Sequence, residues 1–423
     1  LETQAFRNEH LFALLFRRPA EGVLVTDPPA KGDSMMRRRL PSIMLAAFLA
    51  CLLAAGLAFA QEIKVGAVQP ITGRFAFAGV NINAGLEDAL MMANADGGIN
   101  GKKIKYIMED GQYQLDVATA AFKRIMSRDN PLIMYGESTG LGKAMSPEIK
   151  RNKVLYASTS FSGELADPAA NPFVFVPGPT YSDMFGILLK FIAKEKPGAK
   201  VAFFYSDTEF GKDPIPYARE MCKKLNLNLV AEEVAAVGAV DVTSQVLDLK
   251  RKAPDYVIFQ GFVLSPVAEV IKQCRDYGMQ CKFMGTFWGA TKTLLDNLGP
   301  LAEGYMAVNP YMYWWNEDVP IIKKIREYTQ KTYPKVLFRD NSYMQGFMTG
   351  LIFVECLKRA DKAGQLNGEG LVQALQSLKD FDTGGLSAPY TIKDNKFPVA
   401  RIWKANVAKK IYEPASDWMR LDE

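Results

Sequence analysis

The chain has 423 residues, 48% of them hydrophobic and 23% charged, with 51 Lys and Arg against 46 Asp and Glu. That length exceeds one ordinary core and suits two domains plus extra segments. A net charge of +5 shows no nucleic-acid bias, and a single histidine, His10, leaves imidazole-based metal or acid–base chemistry almost nothing to draw on.

Residues 1–34 precede a methionine pair and are read as upstream sequence, outside the fold. In residues 35–60, Arg37, Arg38 and Arg39 come before an apolar run that ends in Ala58-Phe59-Ala60. That order predicts a secretory signal peptide cut before Gln61, and hence a periplasmic protein. The run from Ile43 to Ala60 is at the short edge for a membrane span. Cys51, after Leu49-Ala50, offers lipid anchoring as the second reading. Seven basic residues, five acidic ones and His10 lie ahead of Gln61, so the remainder carries +3 and no imidazole.

From Glu62 onward, strand and helix patterns alternate. "EIKVGAVQPI" reads as a strand, followed by a helix with Ile82, Leu86, Ala89, Leu90 and Ala93 on one face. "KKIKYIMED" is the next strand, and the following helix turns Leu115, Ala118, Phe122, Ile125 and Met126 inward. "PLIMYG" and "VLYAS" are short apolar strands of the doubly covered kind. A second series starts near Tyr181, with strands "KVAFFYS", "LNLVAEEV", "DYVIFQG" and "CKFMG" separated by helices. Such alternation predicts an α/β protein with two doubly wound parallel-sheet lobes. The helix-rich stretch from Val319 to Leu378 and the hairpin-like end return to those lobes. The expected division is 62–178 and 308–388 for the first lobe, 179–307 and 389–423 for the second.

Four cysteines follow residue 60: Cys222, Cys274, Cys281 and Cys356. An oxidising compartment allows a disulfide. "CRDYGMQC" turns a helix end into a strand and brings Cys274 near Cys281. A bridge between these two and four buried free thiols both fit.

Open α/β sheets bind ligands beyond the carboxyl ends of their strands, so the loops after strands are the candidate site. One of them, Gly136-Glu137-Ser138-Thr139-Gly140, matches the G-x-S-x-G of a nucleophile elbow. A serine hydrolase would need a base for Ser138, and neither a histidine after residue 60 nor a lysine three residues on is present. The same geometry serves binding: two hydroxyls at a helix start suit a carboxylate, and a lone hydroxyl would serve as an N-cap. There is no C-x-x-C pair and no phosphate loop, and no metal or cofactor is expected.

The stretch "IKVGAVQPITGRFAFAGVNINAGLEDALMMANADGGINGKKIKYIMED" resembles the opening of branched-chain amino acid-type periplasmic binding proteins, the solute receptors of ABC importers. "KVAFFYSDTEFGKD" and "CRDYGMQCKFMGTFWG" are similar to later segments of the same family. The resemblance implies a type I periplasmic binding fold, with two lobes joined by three crossings and closing on a small-molecule ligand. It also implies a monomer that serves a permease of the inner membrane; a sensor for a signalling partner is the alternative. Carried onto this chain, the resemblance places Ser138 and Thr139 at a ligand carboxylate and Ser160, Phe161 and Ser162 in the next loop. It puts Tyr181 just past the first crossing, and Phe210 and Phe262 on the second lobe. Where amino acid receptors of the family pair the ligand ammonium with an acid, this chain has Phe287 and Trp288. An unpaired buried ammonium is costly, which points to an aromatic or amide-like carboxylate rather than a simple α-amino acid. Glu137, Asp207 and Glu209 lie in neighbouring motifs and offer a substitute acid.

Overall fold

The computed structural model describes residues 62–421; the expected signal peptide, Cys51 and His10 lie outside them. The first sheet is built from β1 (Ile63–Gln69), β2 (Ile104–Asp110), β3 (Ile133–Gly136), β4 (Leu155–Ser158) and β5 (Val174–Phe175). They run in the order β2-β1-β3-β4-β5, all parallel. Every residue of β3 and β4 is buried, because helices cover both faces of a parallel sheet. Those helices include α1 (Ala76–Ala95), α2 (Leu115–Asp129) and α3 (Thr139–Asn152).

The second sheet begins after α4 (Tyr181–Glu195). It comprises β6 (Lys200–Ser206), β7 (Asn228–Ala235), β8 (Tyr256–Gln260), β9 (Lys282–Gly285), β10 (Met306–Asn309), β11 (Val399–Asn406) and β12 (Ile411–Pro414), with β13 (Met419–Arg420) paired to β11. Strands β7, β6, β8, β9 and β10 are parallel; β11 and β12 extend the sheet antiparallel. The sequence shows this end as a hairpin, and a hairpin added to a sheet edge pairs antiparallel. Between these strands lie α5 (Glu209–Lys212), α6 (Ile215–Lys224), α7 (Thr243–Lys252), α8 (Val267–Asp276) and α9 (Lys292–Leu298).

The remaining helices are α10 (Pro320–Thr332), α11 (Asn341–Lys362) and α12 (Gly368–Gln376). Helix α11 lies against α1 in the first lobe at backbone contact distance. A Cβ on Gly85 would stand 2.1 Å from the Tyr343 carbonyl oxygen, and one on Gly346 2.0 Å from that of Ile82. Only glycine admits so close a crossing. Beside it, Asp88 is buried at 1% side-chain exposure and takes contacts from Arg339 (3.1 Å), Tyr343 Oη (2.8 Å) and Tyr333 Oη (3.1 Å).

The chain thus passes between the sheets after β5, after β10 and before β11, and the three passages meet at one place. The Pro177 carbonyl accepts from Tyr311 Oη (2.9 Å) and Tyr390 Oη (3.3 Å), while Gly178 O accepts from Phe397 N (3.1 Å). Tyr313 goes instead into the second lobe, stacked on Trp315 at 4.4 Å and edge-on to Trp403 at 4.8 Å.

The Cys274–Cys281 bridge is absent: both are free, buried thiols, as are Cys222 and Cys356. Cys274 and Cys281 are neighbours nonetheless. Their sulfurs share a proton contact that holds the Cys274 thiol up and lowers that of Cys281. Among the described residues, no helix is long and apolar enough to cross a membrane.

Candidate functional site

Between the carboxyl ends of the two sheets lies a narrow cleft: about 30 Å³ of it is open to a water-sized sphere, within about 380 Å³ of empty space that includes the solvent at its mouth. From the first lobe it is lined by the loop after β1 and the start of α1 (Phe75, Ala78, Ile82), by Tyr113 after β2, by Glu137, Ser138 and Thr139 after β3, and by Thr159 and Ser160 after β4. The second lobe contributes Tyr181, Phe210, Val263 and Trp288. Both sheets therefore supply the loops that follow their strands, as the winding of an open α/β sheet dictates.

Ser138 caps α3: its Oγ accepts from Leu141 N at 3.1 Å. The N-terminal turn of α3 thus faces the cavity with its partial positive charge. Thr139 Oγ1 and Ser160 Oγ lie 2.6 Å apart and buried. The hydroxyls and amides suit a carboxylate, and the other walls are apolar. Phe75 packs on Tyr113 at 4.2 Å between ring centroids, Tyr181 on Phe210 at 5.1 Å, and Phe210 on Trp288 at 6.4 Å. Trp288 Nε1 donates to Tyr181 Oη at 3.0 Å, which orients both rings. Gln260, buried at the end of β8, donates to Phe210 O (2.8 Å) and accepts from Thr286 Oγ1 (2.6 Å), tying the two aromatic loops to one strand end.

Six of the ten expected residues line the cavity: Ser138, Thr139, Ser160, Tyr181, Phe210 and Trp288. The other four stand behind the wall. Phe161 is fully buried, edge-on to Tyr181 (5.9 Å) and Phe287 (5.0 Å). Phe287 is buried likewise against Tyr311 at 5.7 Å and lies edge-on to Trp288 at 5.0 Å, the two being successive residues of one 3-10 turn, about a third of a turn apart. Phe262 packs on Phe204 at 5.8 Å within the second lobe, and its neighbour Val263 takes the wall position. Ser162 donates to Asp213 of the second lobe, whose Oδ1 also accepts from Gly163 N at 3.2 Å. Burial raises the Asp213 carboxyl despite these donors. Lys143 of α3 reaches Glu209 across the cleft at 2.9 Å and Glu164 at 2.6 Å. Together these contacts hold the lobes against each other around the cavity.

Of the three substitute acids, Asp207 is exposed, Glu209 is committed to Lys143, and Glu137 lines the cavity. Burial pushes the Glu137 carboxyl up to about 7, Asp110 adding to the rise; its Oε2 accepts a single hydrogen bond, from Tyr113 N at 3.3 Å. Among the described residues, the hydrogen bond at Ser138 Oγ comes from the Leu141 backbone amide, and none pairs it with the proton acceptor a nucleophile needs. Among the described residues, no group of three or more His, Cys, Asp or Glu side chains is arranged to hold a metal.

A family model described as "Periplasmic binding protein" matches residues 62–410. A Leu/Ile/Val-binding protein of Citrobacter freundii is 24% identical over 271 residues, which span 64% of this chain and 72% of its own. A Leu/Ile/Val-binding protein homolog 7 of Brucella suis is 27% identical over 225 residues, 51% of this chain and 56% of its own. Among solved structures, a branched-chain amino acid ABC transporter protein of Thermus thermophilus with bound valine superposes with a TM-score of 0.78 at 24% identity, covering 85% of this chain and 97% of that one. A fatty acid ABC transporter substrate-binding protein of Thermomonospora curvata superposes at 0.75 with 21% identity, covering 85% and 92%. At such identities the structural likeness speaks for the fold alone.

Proposed function

Since the chain belongs to the periplasmic binding protein family and has its type I fold of two parallel-sheet lobes, we propose that it is the solute-binding protein of an ABC importer. It is exported through the signal at residues 35–60, works as a monomer in the periplasm, and delivers its ligand to an inner-membrane permease. The ligand is a small, amino acid-like carboxylate with an aromatic or amide-bearing body. The hinge lies at the three crossings, after β5, after β10 and before β11; the expected boundary 307/308 falls inside β10 and moves to follow Asn309. The protein is not an enzyme: it holds its guest without changing it.

One observation carries this reading. Hydroxyls at the N-terminus of α3 and aromatic walls from both lobes converge on a single cleft that opens to solvent. The hydroxyl end suits a carboxylate. The rings suit an apolar body, each one worth a few kcal/mol of burial at most, from ~150–250 Å² at about 25 cal/mol/Å².

A thermal-shift screen of amino acids, aromatic acids and amides tests it. A true ligand at a hundred times its Kd stabilises by about 2.7 kcal/mol, a readily visible shift. Native mass spectrometry of the purified protein is the companion measurement, expected to show a co-purified small molecule. A panel in which nothing stabilises the protein sinks the reading.

A further inference from the structure

Resting on that receptor reading, we propose that Glu137 sets which ligands the cleft accepts: ionised, it pairs a ligand ammonium, and neutral, it donates to a ligand oxygen. An amino acid and its deaminated counterpart would then bind with opposite pH dependence.

The geometry supporting this is the charge inventory of the cavity. Glu137 is the one ionic side chain among the lining residues; the other polar ones are hydroxyls. No Lys or Arg lines the wall to neutralise a bound anion. A carboxylate ligand held by Ser138, Thr139 and Ser160 therefore shares an apolar space with a second carboxyl group. Two like charges in such a space cannot both remain ionised without a partner. Either the ligand brings its own cation or Glu137 keeps a proton.

The position is also built for the carboxyl. A Cβ at Gly111 would stand 2.2 Å from Glu137 Oε2 and 2.8 Å from Val68 Cγ1, so a larger residue there would push the carboxyl from its present place. Glu137 is 4% exposed, and the Tyr113 N–H is its single donor at 3.3 Å, which leaves acceptor capacity for a guest.

The titratable groups facing Glu137 from the surrounding elements add no cation. Asp110, at the end of β2, is raised by burial but held below the usual range overall by hydrogen bonds from Thr72 and the amides of Gln112 and Ile71. Tyr113 and Tyr156 are pushed far up by burial and by Glu137, so both stay neutral. The Glu137 carboxyl itself sits near about 7, where modest pH changes switch its state.

The test is titration calorimetry on the purified protein with two matched pairs, L-phenylalanine with 3-phenylpropanoate and L-leucine with 4-methylpentanoate, at pH 5.5, 7 and 8.5. In at least one pair the amino acid should tighten by on the order of tenfold from pH 5.5 to 8.5, while the deaminated acid weakens over the same range. Glu137→Gln should flatten both profiles and move the preference toward the deaminated acid by about tenfold or more. The wild-type slopes stand as a test even if the variant folds poorly. Parallel slopes for the two members of a pair, or a variant that loses both equally, overturn the proposal and leave the receptor reading intact. No binding by either pair overturns the proposal for these ligand classes, and only silence across the wider screen sinks the receptor reading with it.

Discussion

Replacing Glu137 by Gln should make the ligand-free protein more stable at alkaline pH and leave it nearly unchanged in acid. The native carboxyl titrates near about 7 against an ordinary 4.5, because burial penalises its charge. The folded state therefore holds its proton up to about pH 7, whereas the unfolded chain gives it up near 4.5. Between those values the native state binds more protons, so stability falls as pH rises through the window and the loss is complete above it. A rise of that size is worth about 3 kcal/mol at 1.36 kcal/mol per unit, or ~2–3 once partial solvent access is allowed for. Glutamine keeps the shape and the acceptor for Tyr113 N without the charge. Urea unfolding of both proteins at pH 5 and pH 8 checks it. The difference in unfolding free energy should grow by about 2 kcal/mol between the two pH values, other raised carboxyls such as Asp88 and Asp213 cancelling in the comparison. A difference independent of pH would refute the assignment of Glu137 as a charge held in a poorly solvated site.

The two rings of "GTFWGATK" should separate by function. Trp288→Ala should weaken the ligand by more than about 1 kcal/mol, since it removes a cavity wall and the donor to Tyr181. Phe287→Ala should lower folding stability by about 3–5 kcal/mol, measured by denaturant melts, because its ring is wholly buried. Asp88→Ala should cost about 3–5 kcal/mol in the same melts, because Arg339 would be left buried without its partner.

Much of this molecule is legible in its sequence, for physical reasons that differ by level. The strands of the first sheet are plain because a doubly covered parallel strand must be apolar throughout, as "IMYG" and "LYAS" are. The cavity loops follow from the strand ends, while the choice of Ser160, Tyr181 and Phe210 within them came from the family resemblance. What periodicity cannot say is which way successive residues of a loop point. Phe287 and Trp288, or Phe262 and Val263, differ only in that respect, and one of each pair faces inward to the core. Tyr113 was open to the same strand-end rule, as it follows β2. Phe75, in the loop after β1, was open to that rule as well, whereas Ile82 reaches the wall from within α1, where packing decides which side chain faces the cleft. Glu137 carried a signal, an acid within a hydroxyl loop, but its burial is set by how the loops of the first lobe pack together.

Pro177 and Gly178 are where three lengths of chain lie side by side, Tyr311 and Tyr390 fastened to the first carbonyl and Phe397 to the second. On the proposed receptor reading, the lobes would close by bending at these tethers, which lie together and would confine the motion to one place. A permease served by such a receptor would then sense occupancy from the angle between the lobes, without touching the guest inside.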